Sequence, residues 1–368
     1  MLNIFSKNKL GFEQFPALTG IRAVAAFMVF FHHLPLNLEP GFLIGLQLSF
    51  YTGVTLFFVL SGFLITHRYY GKIELSRKYA WNYLVNRFSR IYPLYFLVLT
   101  IVVFVMKNFD PVFLLQNYTL THNLFFIFPS HGLAINPSWS LTVEECFYLL
   151  APFIFFLNKK YNLWLPFSLT LLLLLLILFT YNNSTPFSHR IFETMTGSFF
   201  GHCISFFSGI YLALTLMKKQ KNKVHSKKAS FTIAGIIGIA IVFIPLIYVT
   251  NKENAARYAV MIVCNNLILP LPVAVFYYGL ISENSWCRQF LSFNMMRLFG
   301  RSSYAFYLIH LPLIDYVATP FIKPYFNGNH YDLYVLVIFI LTLLISIITF
   351  IFFEHPMNLL IRKKLRRT

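Results

Sequence analysis

The stretch Phe15–His33, FPALTGIRAVAAFMVFFHH, decides how the rest of the chain is read. It is apolar over nearly the length of a membrane crossing, yet it carries an arginine near its start and two histidines at its end. An ionisable side chain at the centre of a membrane helix costs about 2.5–3.5 kcal/mol on insertion scales, so such a position is functional by default. Arg22 and His33 are eleven residues apart. On an α-helix that is within about 20° of three full turns and about 16 Å along the axis. One helix face then offers an anion-binding cation near one membrane surface and a proton acceptor near the other.

Composition extends the membrane reading to the whole chain. Of 368 residues, 58% are hydrophobic and 11% charged, where a soluble domain carries about 25% charged residues. The apolar runs are too long and continuous for barrel strands, which leaves helices. The fold class is therefore all-α: a polytopic bundle of about ten transmembrane helices in a single domain over 1–368. Runs of spanning length fall near 16–36, 42–66, 88–106, 140–157, 163–181, 197–217, 230–250, 258–281, 297–319 and 331–353.

The net charge of +18 would point to nucleic acid in a soluble protein. Here the cations lie in short connections that alternate with charge-poor ones. They cluster at Lys7 and Lys9, in 67–90, at Lys159 and Lys160, in 218–228, in 282–301 and in the RKKLRR tail. By the positive-inside rule both termini are expected in the cytosol, and no nucleic-acid partner is implied. The first apolar run lacks a small-residue cleavage site and is expected to be retained. The connection 107–139, with FLLQNYTL and NLFFIF, is expected to dip into the interface as a re-entrant or amphipathic piece, and the 182–196 loop is expected to be shorter than those bounds. Cys146, Cys203, Cys264 and Cys287 are scattered, which suggests neither a disulfide nor a metal site.

With that topology the polar residues fall into two layers. Arg22, Ser61, Arg68, Arg87, Arg90, Arg301 and Glu354 lie towards the cytosolic face; His32, His33, Trp139, Ser140, Glu144 and Glu145 lie towards the outer one. His310 is about 13 Å deeper than Arg301 along its helix. Clustered guanidinium groups suit a polyphosphate, which they bind bidentately. Arg87 and Arg90 equally suit interfacial anchoring, whereas Arg22 lies too far inside the apolar run for that. Histidine with carboxylate suits proton transfer, a neutral imidazole taking the proton of an attacking hydroxyl. The alternative for any one of these histidines is a hydrogen-bonded core residue.

Six stretches in chain order carry a family resemblance. They are Arg22 with His33; GVTLFFVLSGFLIT at 53–66; Arg87, Arg90, Ile91 and Pro93; WSLTVEECFY at 139–148; GRSSYAFYLIHLPLI at 300–314; and Glu354 with Pro356. The chain resembles the acyltransferase-3 family, polytopic membrane O-acyltransferases of bacterial surface polysaccharides, in the stand-alone form without an appended esterase-like domain. The matches select His33 over His32 and Glu144 over Glu145. Thr19 departs from the family, whose members often have Asp there.

The resemblance implies a membrane-embedded enzyme of the bacterial cytoplasmic membrane. It would move an acetyl group from cytosolic acetyl-CoA to a hydroxyl of an envelope polysaccharide, exopolysaccharide or lipopolysaccharide sugar, or of its lipid-linked precursor. No metal is implied. His33 is expected as general base and Glu144 as its partner. Arg22, Arg68, Arg87 and Arg90 are expected to bind the CoA phosphates, with Ser61 and Gly62 either beside the pantetheine arm or, the favoured role, serving close helix packing. Trp139, Ser140 and His310 are expected to line the acceptor pocket, and one continuous cavity should join Arg22 to His33. The rival reading is a transporter or flippase of a lipid-linked sugar, against which the motif series and the lack of an internal repeat both count. Transfer of labelled acetyl to glycan separates the two.

Overall fold

The computed structural model describes residues 15–39, 41–72, 77–122, 132–180, 191, 194–219, 229–250, 255–326 and 330–366. Among these the chain is helical, with no strand. The helices are α1 (Pro16–His33), α2 (Phe42–Tyr69), α3 (Arg77–Met106), α4 (Pro111–Thr119), α5 (Ser138–Tyr161), α6 (Trp164–Thr180), α7 (Cys203–Lys219) and α8 (Ser230–Thr250). They continue with α9 (Arg257–Ser282), α10 (Trp286–Leu291), α11 (Asn294–Arg301), α12 (Ser303–Tyr325) and α13 (Tyr331–Leu365).

Seven of these helices, α2, α3, α5, α8, α9, α12 and α13, are long and apolar enough to cross a membrane. In hydrocarbon every backbone N–H and C=O must find a partner within its own segment, so apolar runs of this length become helices. The other three expected spans are helical but shorter: α1 with 18 residues, and α6 and α7 with 17 each. In α1 the apolar character is diluted by Arg22, His32 and His33. The NLFFIF part of the 107–139 connection and most of the 182–196 loop lie outside the described residues. FLLQNYTL instead falls in α4, whose start is capped by the Asp110 side chain accepting from the Phe113 N–H at 2.7 Å.

The bundle is organised on α1 and α2. α1 packs against α2, α11 and α12, and α2 packs along α7. Three glycines permit close backbone approaches on α1, α2 and α7. A Cβ on Gly62 would lie 2.2 Å from the Phe206 carbonyl oxygen, and one on Gly209 would lie 2.1 Å from that of Val59. A Cβ on Gly20 would lie 2.0 Å from the Leu291 oxygen. Small residues at membrane helix crossings let backbones meet in this way. Gly62 therefore serves the α2–α7 contact, not a path for a ligand.

Regular α-helix gives way to π-helical turns at Ile262–Ile268 in α9, Ile314–Ile322 in α12 and Phe350–Glu354 in α13. Such turns recur at functional sites because they re-aim side chains. The first turns Asn265 inward, where its side-chain oxygen accepts from Thr55 at 2.7 Å. The second carries Asp315, and the third ends at Glu354. Beyond it α13 runs on as His355–Leu365 and lies along α3. Asn358 donates to the Ser89 carbonyl at 3.0 Å and the Trp81 indole donates to that of Leu365 at 2.7 Å.

Candidate functional site

The helix directions place arginines at one end of the bundle, the basic end, and His32 and His33 at the other. At the histidine end, α1 stops at His33, whose ring is exposed. Its Nδ1 lies 2.9 Å from the carbonyl oxygen of Val29, one turn earlier on α1. The same nitrogen is 3.3 Å from Nε2 of His310. His310, 1% exposed, has its own Nδ1 2.6 Å from the Tyr307 carbonyl.

These contacts fix both tautomers. A carbonyl only accepts, so His310 carries its proton on Nδ1 and presents Nε2 as an acceptor. His33 in turn donates from Nδ1 to Val29 and His310, which leaves its Nε2 with the lone pair. His32 is held differently, its Nδ1–H donating to the Leu48 carbonyl at 2.7 Å and tying α1 to α2. Both rings thus keep a lone pair on Nε2, and of the two adjacent histidines His33 is the exposed one.

A cavity of about 70 Å³ lies deeper, between α1, α2, α3, α5 and α12. Arg22, Ser61, Arg90, Ser140, Glu144 and Tyr307 are on its wall. Ser61 and Tyr148 both donate to the same Glu144 oxygen in short hydrogen bonds. Arg22 has the carboxylates of Glu144 and Glu354 and the guanidinium of Arg90 as charged neighbours. Ser140 Oγ and the Tyr307 hydroxyl are 2.8 Å apart, and both reach the Pro137 carbonyl.

The geometry departs from the sequence expectation in three ways. Glu144 sits with Ser61, Tyr148 and Arg22, and among the described residues no contact joins it to His33. The carboxylate with which His33 interacts is Asp315, itself exposed. Its only sequence signal was an acid inside an otherwise apolar run. Secondly, the cavity is not continuous to His33. Ala26, Val29 and Phe30, at most 2% exposed, lie on α1 between Arg22 and His33, and the Tyr307 ring stands between cavity and His310, 5.8 Å from the latter. Thirdly, the arginines form two groups. Arg22 and Arg90 are in the cavity with carboxylates nearby, whereas Arg87 is buried over the rings of Tyr148 (5.2 Å) and Tyr69 (5.7 Å). Arg68 shares Tyr69 at 5.6 Å.

Trp139 lies outside the cavity, its indole 5.8 Å from the His202 ring and 6.3 Å from that of Phe58. No group of three or more metal-binding side chains occurs among the described residues.

A helical bundle with seven membrane-length helices among the described residues and an ionisable interior defines a multi-pass membrane protein. The acyltransferase domain of the acyltransferase-3 family matches residues 15–351, and the chain belongs to that family of bacterial membrane proteins. It is 29% identical over 336 residues to the peptidoglycan O-acetyltransferase OatA of Listeria monocytogenes, covering 84% of this chain and 50% of that protein. It is 27% identical to the O-acetyltransferase OatA of Staphylococcus aureus, covering 95% and 57%. A putative peptidoglycan O-acetyltransferase, YrhL of Bacillus subtilis, is 26% identical, covering 93% and 55%. The chain thus spans about half the length of the curated relatives it matches. No solved structure matches it.

Proposed function

We propose that this chain is a membrane O-acetyltransferase, moving an acetyl group from acyl-CoA at the basic, cytosolic end to a sugar hydroxyl at the histidine end. The observation that carries the proposal is His33: an exposed imidazole whose Nδ1–H is committed to Val29 and His310 and whose Nε2 keeps its lone pair. In the reaction Nε2 takes the hydroxyl proton as the sugar oxygen attacks the thioester carbonyl. Asp315 supports the imidazolium that forms, and the CoA thiolate leaves and recovers the proton. The acceptor is a cell-wall or other envelope glycan; relatives named for peptidoglycan favour the wall over exopolysaccharide or lipopolysaccharide.

The test is transfer of labelled acetyl from acetyl-CoA to glycan in membranes containing this chain alone. Wild type is expected to label glycan. His33→Ala is expected to lower the rate by about 10²–10⁴ while inserting to the same level. Equal labelling by both proteins removes the proposal.

A further inference from the structure

The last turns of α13 carry a basic face that the acyltransferase reading leaves unused. Asn358 and Arg362 are four residues apart and share a helix face, and the exposed Arg366, the residue that follows the helix, stays at the same interval because its N–H donates to the Arg362 carbonyl at 3.3 Å. That face is directed at α3 by the Asn358 bond to Ser89 and the Trp81 bond to Leu365, and Arg362 also donates to Asn358 at 3.3 Å. Arg362 has Arg68, Arg87 and Arg366 as charged neighbours, and Arg68 has Arg87, Arg90 and Arg366. The carboxyl of Glu145 neighbours Arg87, and the charged neighbours that weigh most on Arg362 and Arg68 are other arginines. Arg22 differs, having Glu144 and Glu354 beside it. Arg87 is 7% exposed, and its Nε is buried without a hydrogen-bond partner among the described residues.

Topology alone does not call for this arrangement. A positive-inside signal needs cations on the correct side of the membrane, and exposed Lys363 and Lys364 provide them. Turning Arg362 and Arg366 towards Arg68 and Arg87 opposes like charges, which is unfavourable until an anion enters. Guanidinium groups grip phosphate oxygens two at a time, so four of them match an anion with more than one phosphate.

We propose that Arg362 and Arg366, brought onto α3 by the C-terminal helix, form with Arg68 and Arg87 one binding site for a phosphate polyanion. Building on the acyl-CoA reading above, the polyanion is the nucleotide end of CoA, with its 3′-phosphate and pyrophosphate. Arg22 and Arg90 are then left for the deeper, carboxylate-lined cavity.

The test is equilibrium binding of CoA and of adenosine 3′,5′-bisphosphate to the purified full chain in detergent, with retained lipids identified by native mass spectrometry. The double variant R362A/R366A is expected to bind both probes at least tenfold more weakly at an unchanged melting temperature. R362K/R366K, with charge but no bidentate grip, is expected to fall between the two. Wild-type affinity for CoA in R362A/R366A overturns the inference and leaves the acyl-CoA reading intact. Loss of retained anionic lipid with CoA affinity unchanged overturns it in favour of a headgroup site. If the wild type binds neither probe, the acyl-CoA reading fails and this inference with it.

Discussion

At the level of single residues, two carboxylates lie in different surroundings. One oxygen of Glu144 accepts short hydrogen bonds from Ser61 and Tyr148, with Arg22 a charged neighbour; Asp315 is a charged neighbour of His33. A carboxylate beside a base tunes the pH at which that base works, whereas one beside an anion-binding arginine acts on affinity and orientation. Asp315→Asn is therefore expected to move the acidic limb of the acetyl-transfer pH profile to lower pH, since an imidazolium that loses a neighbouring anion gives up its proton more readily. Glu144→Gln is expected to leave that limb in place and to change the KM for the donor. A shift of the limb in Glu144→Gln, with none in Asp315→Asn, would restore the pairing of Glu144 with His33 that the sequence suggested.

At the scale of elements, the membrane spans were legible because hydrocarbon thickness dictates the length of an apolar run, and arginines inside such runs stand out for the same reason. The π-helical turns were not legible. They depend on which neighbours press on α9, α12 and α13, and nothing in the local composition encodes that. Asp315 was missed accordingly, and Arg362 was read only as part of a basic tail, since its relation to Arg68 spans nearly three hundred residues. The Ser61-Gly62 step was legible only as a choice, and Phe206 against Gly62 resolved it towards packing. One such tertiary contact governs the N-terminal end of α5. His122, fully buried in the loop after α4, accepts from the Thr142 hydroxyl at 2.9 Å, and burial pushes its pKa down from 6.5 to about 4. The neutral ring is the folded form, so its stabilisation is complete above about pH 6.5 and is lost as pH falls towards 4. Between pH 7 and 5.5 the loss is about 1 kcal/mol. Melting in detergent at those two pH values is expected to differ less in His122→Gln than in wild type; an equal difference would show that His122 does not contribute.

Across the whole molecule, the site is a gradient with a closed middle. Guanidinium groups occupy one end, imidazole and carboxylate the other, and between them lies a cavity of about 70 Å³ that Tyr307 separates from His310. Ligand pockets usually measure about 300–1,000 Å³, so admitting a thioester arm requires Tyr307 and its partner Ser140 to part. On the proposed mechanism that division gives the reaction a sidedness which an enzyme with donor and acceptor on one surface would lack. In sealed membrane vesicles containing the full chain, labelled acetyl-CoA supplied outside is expected to label glycan only when the vesicles are inverted, with the basic end outward. In right-side-out vesicles the same donor meets the histidine end and is excluded by its own charge, so labelling there should stay at the level of His33→Ala. Equal labelling in both orientations would mean that acetyl transfer does not run from the arginine end to His33, and the two-ended mechanism would fail even if the chain proved to be an acetyltransferase.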